Sequence, residues 1–435
     1  MSKAISFRKG LSTVLFWSVI SAAFIGPGTV TTASSAGASF GLDLLWALVF
    51  SIIATMVLQE AAARITIASG KSLGEIIAIK YADRNRSLKL FLFLAVAFGC
   101  AAYETGNILG AVSGLLFLFI GIPQWILTLA LGIVCIIILW IGSIQIIART
   151  LGIVVAIMGI AFCWVAVQTD ISVFDISKAV VTPSFPVGSS LLIIGLIGTT
   201  IVPYNLFLAS GIGQGQDIRE MRLGVGMAVF IGGIISVAIL IVGTLVIGEY
   251  SYPALADAMA SKLGSWAVMF FGFGLAAAGM TSSVTAPLAA AITGRSLFGA
   301  NDAKWQNKAI NFRLVWGSIF LIGLIFSLIG IQPIPAIILA QAINGALLPI
   351  VTIFLLLAVN DKNILSPGYT NKIFTNILML LIVGVTCFLG LNNIWKALAQ
   401  VIPAFASAQE LALWVNIAIS GIILLWLTRI VFVKK

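Results

Sequence analysis

Charged residues along this chain are confined to short stretches, and long apolar segments run between them. A helix needs about 20 consecutive apolar residues to cross roughly 30 Å of hydrocarbon, so the pattern predicts about twelve spans. The first is read from Leu15 to Phe40 and the second from Leu44 to Ile67. The third runs from Leu90 to Ile120, the fourth from Gln124 to Ile147 and the fifth from Leu151 to Val167. The sixth runs from Ser190 to Ile212, the seventh from Leu223 to Ile247 and the eighth from Trp266 to Thr293. The ninth covers Leu314 to Ile331, the tenth Pro335 to Val359, the eleventh Ile373 to Leu391 and the twelfth Leu411 to Val431.

Two of these spans are interrupted. The first contains Phe24-Ile25-Gly26-Pro27-Gly28-Thr29, and the sixth contains Gly198-Thr199-Thr200-Ile201-Val202-Pro203-Tyr204-Asn205. A proline within a span removes a backbone hydrogen bond and clashes with the preceding turn. Irregular backbone at membrane depth is tolerated only where protein or a water-filled cavity surrounds it. Either break alone reads as a kink. The pair, five spans apart, reads as the unwound segments of two inverted five-helix repeats, with a solute site at the midplane between them. Freed carbonyls there suit cations, and half-helix N-termini favour anionic groups. The expected organisation is one transmembrane domain over residues 1–435, with repeats at 12–168 and 189–360 and two further helices at 371–432.

Composition narrows the class. Of 435 residues, 61% are hydrophobic and 9% charged, with a mean hydropathy of +1.16. Soluble domains carry about 25% charge, so a soluble enzyme, a disordered chain, a disulfide scaffold and a nucleic-acid module are all excluded. The net charge of +10 reads as a topology signal. With the N-terminus inside, only Lys178, Lys262 and Lys396 fall outside, and the remaining bases, among them Lys71, Lys80, Arg149, Arg219, Arg295 and Arg313, fall on the cytoplasmic side. The positive-inside rule is then met throughout. The expectation is a plasma-membrane (inner-membrane) protein, monomeric, with both termini cytoplasmic and no cleavable signal peptide. Its partners are the lipid bilayer and a small transported solute or ion, with no nucleic acid.

Histidine is absent, which removes the commonest metal ligand and the side chain best placed for proton transfer near neutral pH. Cys100, Cys135, Cys163 and Cys387 lie within apolar runs without CxxC spacing and read as small buried hydrophobes. No cofactor is expected, and no nucleophile–base pair indicates an enzyme. Glu104 stands inside the third span, where a charge is expensive and either pairs with a neighbouring helix or serves coupling or binding. Glu60 and Arg64 read as an interfacial i,i+4 pair. Gln341 and Asn344, three apart, share a helix face and serve either interhelical bonding or the solute. Ser282, Ser283 and Thr285 read as polar packing between helices, and Trp266 and Tyr250 as interfacial anchors.

Several stretches resemble the natural resistance-associated macrophage protein (NRAMP) family of divalent-metal transporters. FIGPGTVTTASSAGASFGLDLLWALVFSIIATMVLQ, residues 24–59, is similar to that family's first two helices. GTTIVPYNLFLAS, residues 198–210, resembles its sixth, AAGMTSSVTAPLA, residues 277–289, its eighth, and AQAINGALLPIVTIFLLLAVNDKNIL, residues 340–365, its tenth. The resemblance implies an all-α LeuT-type fold, two inverted five-helix repeats plus two helices, and secondary transport of a divalent metal. It also marks the departures. The family's Asp-Pro-Gly-Asn becomes Gly26-Pro27-Gly28-Thr29, and its Met-Pro-His-Asn becomes Val202-Pro203-Tyr204-Asn205. A contributing carbonyl falls on Thr199, and a second family histidine falls on Ala209. The substrate-binding positions are thus Gly26, Thr29, Thr199, Val202, Tyr204, Asn205, Gln341 and Asn344. Glu104 falls about one turn from the family's third-helix acids, so its candidacy as coupling acid rests on its charge within the span and not on the resemblance. The family's metal positions here mostly lack ligand side chains, so metal binding is expected to be weak or absent. A neutral, zwitterionic or carboxylate-bearing organic solute, or another small ion, is the alternative cargo. A non-transporting sensor on the same fold ranks last, because no appended soluble domain is visible.

Overall fold

The computed structural model describes residues 25–81, 86–141, 144–213, 215–299, 302–401, 405 and 409–433. The N-terminal half of the first expected span, and Lys3, Arg8 and Lys9 before it, lie outside the described residues.

Among the described residues all regular structure is helical. Up to Val167 the described residues form α1 (Pro27–Phe40), α2 (Leu45–Ser69), the single turn α3 (Leu73–Ile76), α4 (Arg86–Leu118), α5 (Gln124–Ile141) and α6 (Ile144–Val167). After α7 (Val173–Val181) come α8 (Ser190–Thr200), α9 (Pro203–Ile212), α10 (Ile218–Gly243), α11 (Tyr252–Leu263), α12 (Trp266–Phe298), α13 (Ile310–Leu328) and α14 (Pro333–Val359). The chain finishes with α15 (Ile373–Val401) and α16 (Gln409–Thr428). Ten of these stretches are long and apolar enough to cross a bilayer, α8 and α9 together forming one of them. The shorter apolar stretch Leu151–Val167 and the half-span α1 complete the expected set.

Helix is described to Ile141 in α5 and from Ile144 in α6; residues 142–143, within the expected fourth span, lie outside the described residues. α7 and α11 occupy stretches expected as connections. Each starts at a serine cap: Ser172 forms a reciprocal capping box with Asp175, and the Ser251 hydroxyl accepts from the Ala254 N–H. Such caps satisfy orphan N–H groups that water otherwise serves.

Lipid gives helices little hydrophobic reason to associate, so small residues set the close crossings. α4 lies against α12 where a Cβ at Gly114 would stand 2.5 Å from the Gly272 carbonyl, and one at Gly279 2.5 Å from Ala111 Cβ. α1 crosses α10 where Gly37 faces the Leu240 carbonyl and Gly243 faces the Ser34 carbonyl, with no room for a methyl on either side. α8 and α14 meet at Gly198 and Gly345, a Cβ on the latter falling 2.6 Å from the Ile194 carbonyl.

The Glu60–Arg64 pair is more than an interfacial contact. Arg64 is only 3% exposed, and its Nε donates to both Glu60 carboxylate oxygens at 3.1 Å. Its other nitrogens donate to the Tyr369 carbonyl and, at 2.6 Å, to Asn371 Oδ1. Arg222 of α10 also reaches Glu60 at 2.8 Å. Asn371 continues to Asn376 Oδ1 at 2.9 Å, and Asn376 pairs reciprocally with Asn360 at 2.8 Å. The network ties α2 and α10 to the α14–α15 connection.

Candidate functional site

The two breaks meet. Gly26 takes an extended conformation (φ −100°, ψ 179°), and α1 begins at Pro27. Thr29 and Val30 return their N–H groups to the Gly26 carbonyl at 3.1 and 3.2 Å. In the sixth span α8 stops at Thr200, Ile201 leaves the helical conformation, Val202 is extended, and α9 restarts at Pro203. Proline suits a first helical position because its missing N–H would be unpaired there anyway. Neither α1 nor α9 has a side-chain cap, so their positive dipole ends are not offset by a capping oxygen. The Thr29 and Thr199 hydroxyls lie 3.1 Å apart, joining the first turn of α1 to the last turn of α8.

A helix that stops inside a membrane protein leaves its last carbonyls without partners. Two are satisfied by neighbours. The Tyr103 hydroxyl of α4 donates to the Gly198 carbonyl at 2.7 Å, and Thr55 Oγ1 of α2 donates to the Thr200 carbonyl at 3.0 Å. The Tyr103 ring also stands edge-on to Tyr204, with centroids 5.6 Å apart at 88°. Sequence reasoning passed over Tyr103 and Thr55. The available signal was the repeat of Gly99, Tyr103, Gly106 and Gly110 on one face of α4, which places Gly110 against Pro27 and Gly99 against Asn344.

Around this junction lie buried polar atoms with no hydrogen-bond partner. Asn205 is 0% exposed, and both its amide atoms are unpaired, as are Gln341 Oε1 and Ser282 Oγ. Gln341 stands against Gly28, and the Ser282 hydroxyl would lie 2.9 Å from a Cβ on Gly26. Buried polar groups are almost always paired, so a convergent set of unpaired ones marks where a solute or water makes its contacts. Ser282, expected as packing polarity, belongs to this set.

Thr29, Thr199 and Gln341 are brought to the junction, and Gly26, Val202, Tyr204 and Asn205 form its backbone turns and first helical turn. Asn344 is occupied differently: its Nδ2 donates to the Gly99 carbonyl at 3.2 Å and the Ala340 carbonyl at 3.1 Å, bracing α14 on α4. Glu104 is 0% exposed and lies against α12 and α13. Asn107 and Ser283 are the polar side chains beside it, and Gly323 of α13 packs against its stem. Its oxygens make no hydrogen bond to the junction residues. Among the described residues no three His, Cys, Asp or Glu side chains gather as a metal cluster, and all four cysteines are free.

A family model described as natural resistance-associated macrophage protein-like (Nramp) matches residues 18–396. The chain belongs to this family. It is 24% identical over 390 residues to a divalent metal cation transporter MntH of Verminephrobacter eiseniae, covering 84% of this chain and 86% of that one. A second MntH, from Deinococcus radiodurans, is 24% identical over 379 residues, covering 82% and 84%. The Nramp fold is seen directly in the Eremococcus coleocola manganese transporter, solved with an aromatic bis-isothiourea substituted compound. It superposes with a TM-score of 0.74 at 18% identity, covering 99% of this chain and 95% of that one. The all-α LeuT-type architecture implied by the sequence resemblance therefore holds, and the chain is a multi-pass Nramp-family membrane transporter rather than an enzyme.

Proposed function

We propose that this transporter moves a small solute by alternating access, binding it at the junction of α1 with α8 and α9. The observation that carries the reading is the meeting of two proline-started half-helices, tied by the Thr29–Thr199 contact, beside the unpaired amide of Asn205 and the unpaired Gln341 Oε1. Residues 12–168 and 189–360 act as inverted repeats whose relative rocking exposes the junction to each side in turn, with both termini in the cytoplasm. Gly26, Thr29, Thr199, Val202, Tyr204, Asn205 and Gln341 contact the cargo, and Asn344 sets the angle of α14.

The donor set argues for cargo chemistry. Hydroxyls, carboxamides and backbone carbonyls are neutral. Transition metals prefer imidazole or thioether, and magnesium uses carboxylates. A divalent ion entering here loses hydration that neutral oxygens repay only in part, so it binds weakly. A neutral, zwitterionic or carboxylate-bearing solute fits better, its anionic end at the helix N-termini. Divalent metal is the second reading, favoured by what the MntH relatives are named to carry. Glu104 is the coupling acid of the proposal.

Titration calorimetry of the purified protein with manganese, magnesium, amino acids and small organic acids separates the readings. Heat from an organic solute and none from manganese is expected; saturable micromolar manganese binding overturns the assignment. For coupling, Glu104→Gln in proteoliposomes should abolish the pH dependence of uptake, and an unchanged pH profile removes Glu104 from that role.

A further inference from the structure

At the end of the molecule where α12 finishes and α13 begins, a cavity of about 400 Å³ is lined by Arg295, Gln306, Asn307 and Lys308. Transport through the α1–α8 junction makes no use of it. Its wall is built rather than incidental. Arg295 donates from Nη1 to Asn307 Oδ1 at 2.6 Å, and its guanidinium lies 5.7 Å from the centre of the Phe312 ring. Below it Trp305 stacks on Phe298 at 5.8 Å, and Phe298 meets Phe93 edge-on at 5.5 Å. Phe93 sits two turns into α4, so the helix start carrying Arg86 and Lys89 enters at this same end.

More bases gather there. Lys304 is exposed beside the cavity, and Arg313 lays its guanidinium 4.1 Å from the centre of the Trp140 ring. Two acids stand nearby and offset part of that charge. Glu75, the carboxylate that acts on Arg295, accepts from the Ser72 N–H and hydroxyl at 2.7 Å. Asp302 accepts from the Lys304 N–H at 2.9 Å.

Position selects the ligand. α12 and α13 are long and apolar enough to cross a bilayer, and a cavity at their ends then falls near the headgroups. On the first turns of α13, Ile310 and Leu314 are 63% and 62% exposed, an apolar flank for acyl chains directly beside the basic pocket. Arginine and lysine in such pockets match the phosphate oxygens of anionic lipids. We propose that this cavity binds the phosphate of an anionic phospholipid headgroup, its acyl chains lying along α13.

Native mass spectrometry of the purified full chain in detergent, titrated with phosphatidylglycerol, phosphatidylcholine or inorganic phosphate, tests the assignment. Phosphatidylglycerol is expected to be retained in preference to phosphatidylcholine. Arg295→Gln and Lys308→Gln should each weaken its retention about fivefold, the effect of one base near a charged surface. Arg295→Lys should keep most of it. Among the described residues Lys308 makes no bond that holds the loop, so Lys308→Gln reports on charge even if Arg295→Gln disturbs the connection. Equal retention of the two lipids, or unchanged phosphatidylglycerol retention in Lys308→Gln and Arg295→Gln, overturns the site. Displacement of phosphatidylglycerol by equimolar inorganic phosphate overturns the lipid as occupant.

Discussion

Tyr103→Phe removes one hydroxyl from the helix break and leaves the ring in place. Tyr103 is 5% exposed, and its hydroxyl donates to the Gly198 carbonyl at 2.7 Å. That carbonyl sits in the last turn of α8, where the extended Val202 cannot return the usual helical N–H. Phenylalanine keeps the edge-on contact with Tyr204, so the packing loss is small. Leaving a buried carbonyl unpaired costs about 1–3 kcal/mol. If the bond is made in one conformation of the carrier and not the other, the same energy shifts their populations about 5- to 150-fold. The expected result is a melting temperature lower by a few degrees in detergent, together with a changed uptake rate in proteoliposomes. Thr55→Val removes the neighbouring bond to the Thr200 carbonyl. The two substitutions act on one turn, so their costs should fail to add by more than about 0.5 kcal/mol. Wild-type melting and uptake in Tyr103→Phe would refute the idea that neighbouring hydroxyls hold the break open.

Three other outcomes follow from the same geometry. Gly26→Asp with Val202→Met should create manganese binding measurable by calorimetry, because Gly26 has a conformation any residue adopts and the unpaired Ser282 hydroxyl can rotate away from the new Cβ. Arg64→Leu should destabilise the protein by about 3 kcal/mol in denaturant melts. That is the low end for breaking a buried pair, since Arg222 still neutralises Glu60. Around Asp175, the Ser172 hydroxyl and N–H hold the carboxyl below the usual carboxylate range. An acid depressed in this way stabilises α7 above its ordinary value near 3.9 and loses that contribution as pH falls through the lowered one. Amide protection in residues 173–181 should therefore survive at pH 5, fade in stronger acid, and in Asp175→Asn be weaker at pH 5 and converge with the wild type in stronger acid.

The spans and both breaks were legible because each leaves a mark on hydropathy or proline placement. Gly26-Pro27 and Val202-Pro203 announce themselves as helix restarts, and Thr29, Thr199 and Asn205 stand next to them. What was hidden is whatever depends on which face of a distant helix turns inward. Tyr103 and Glu104 are neighbours in sequence, yet one bonds the break and the other faces α12 and α13. Gln341 and Asn344 share a helix face, yet Asn344 spends its amide on the Gly99 and Ala340 carbonyls while Gln341 keeps an oxygen unpaired. Ser282 looked like packing because nothing in its own helix reveals Gly26 opposite it. The capped helices α7 and α11 were missed because short amphipathic segments between spans carry a weak hydropathy signal, although Ser172 and Asp175 have capping-box spacing.

The crossing of α1 on α10 has a mechanical consequence. Gly37 against the Leu240 carbonyl and Gly243 against the Ser34 carbonyl leave no clearance for one helix to slide past the other without a clash. Close-packed surfaces of this kind move as one piece. Any swing of α1 must then carry α10 with it, and through Arg222 and Glu60 it pulls on the α14–α15 connection. The half-helix at the break is the short arm of a lever whose long arm ends at the α14–α15 connection.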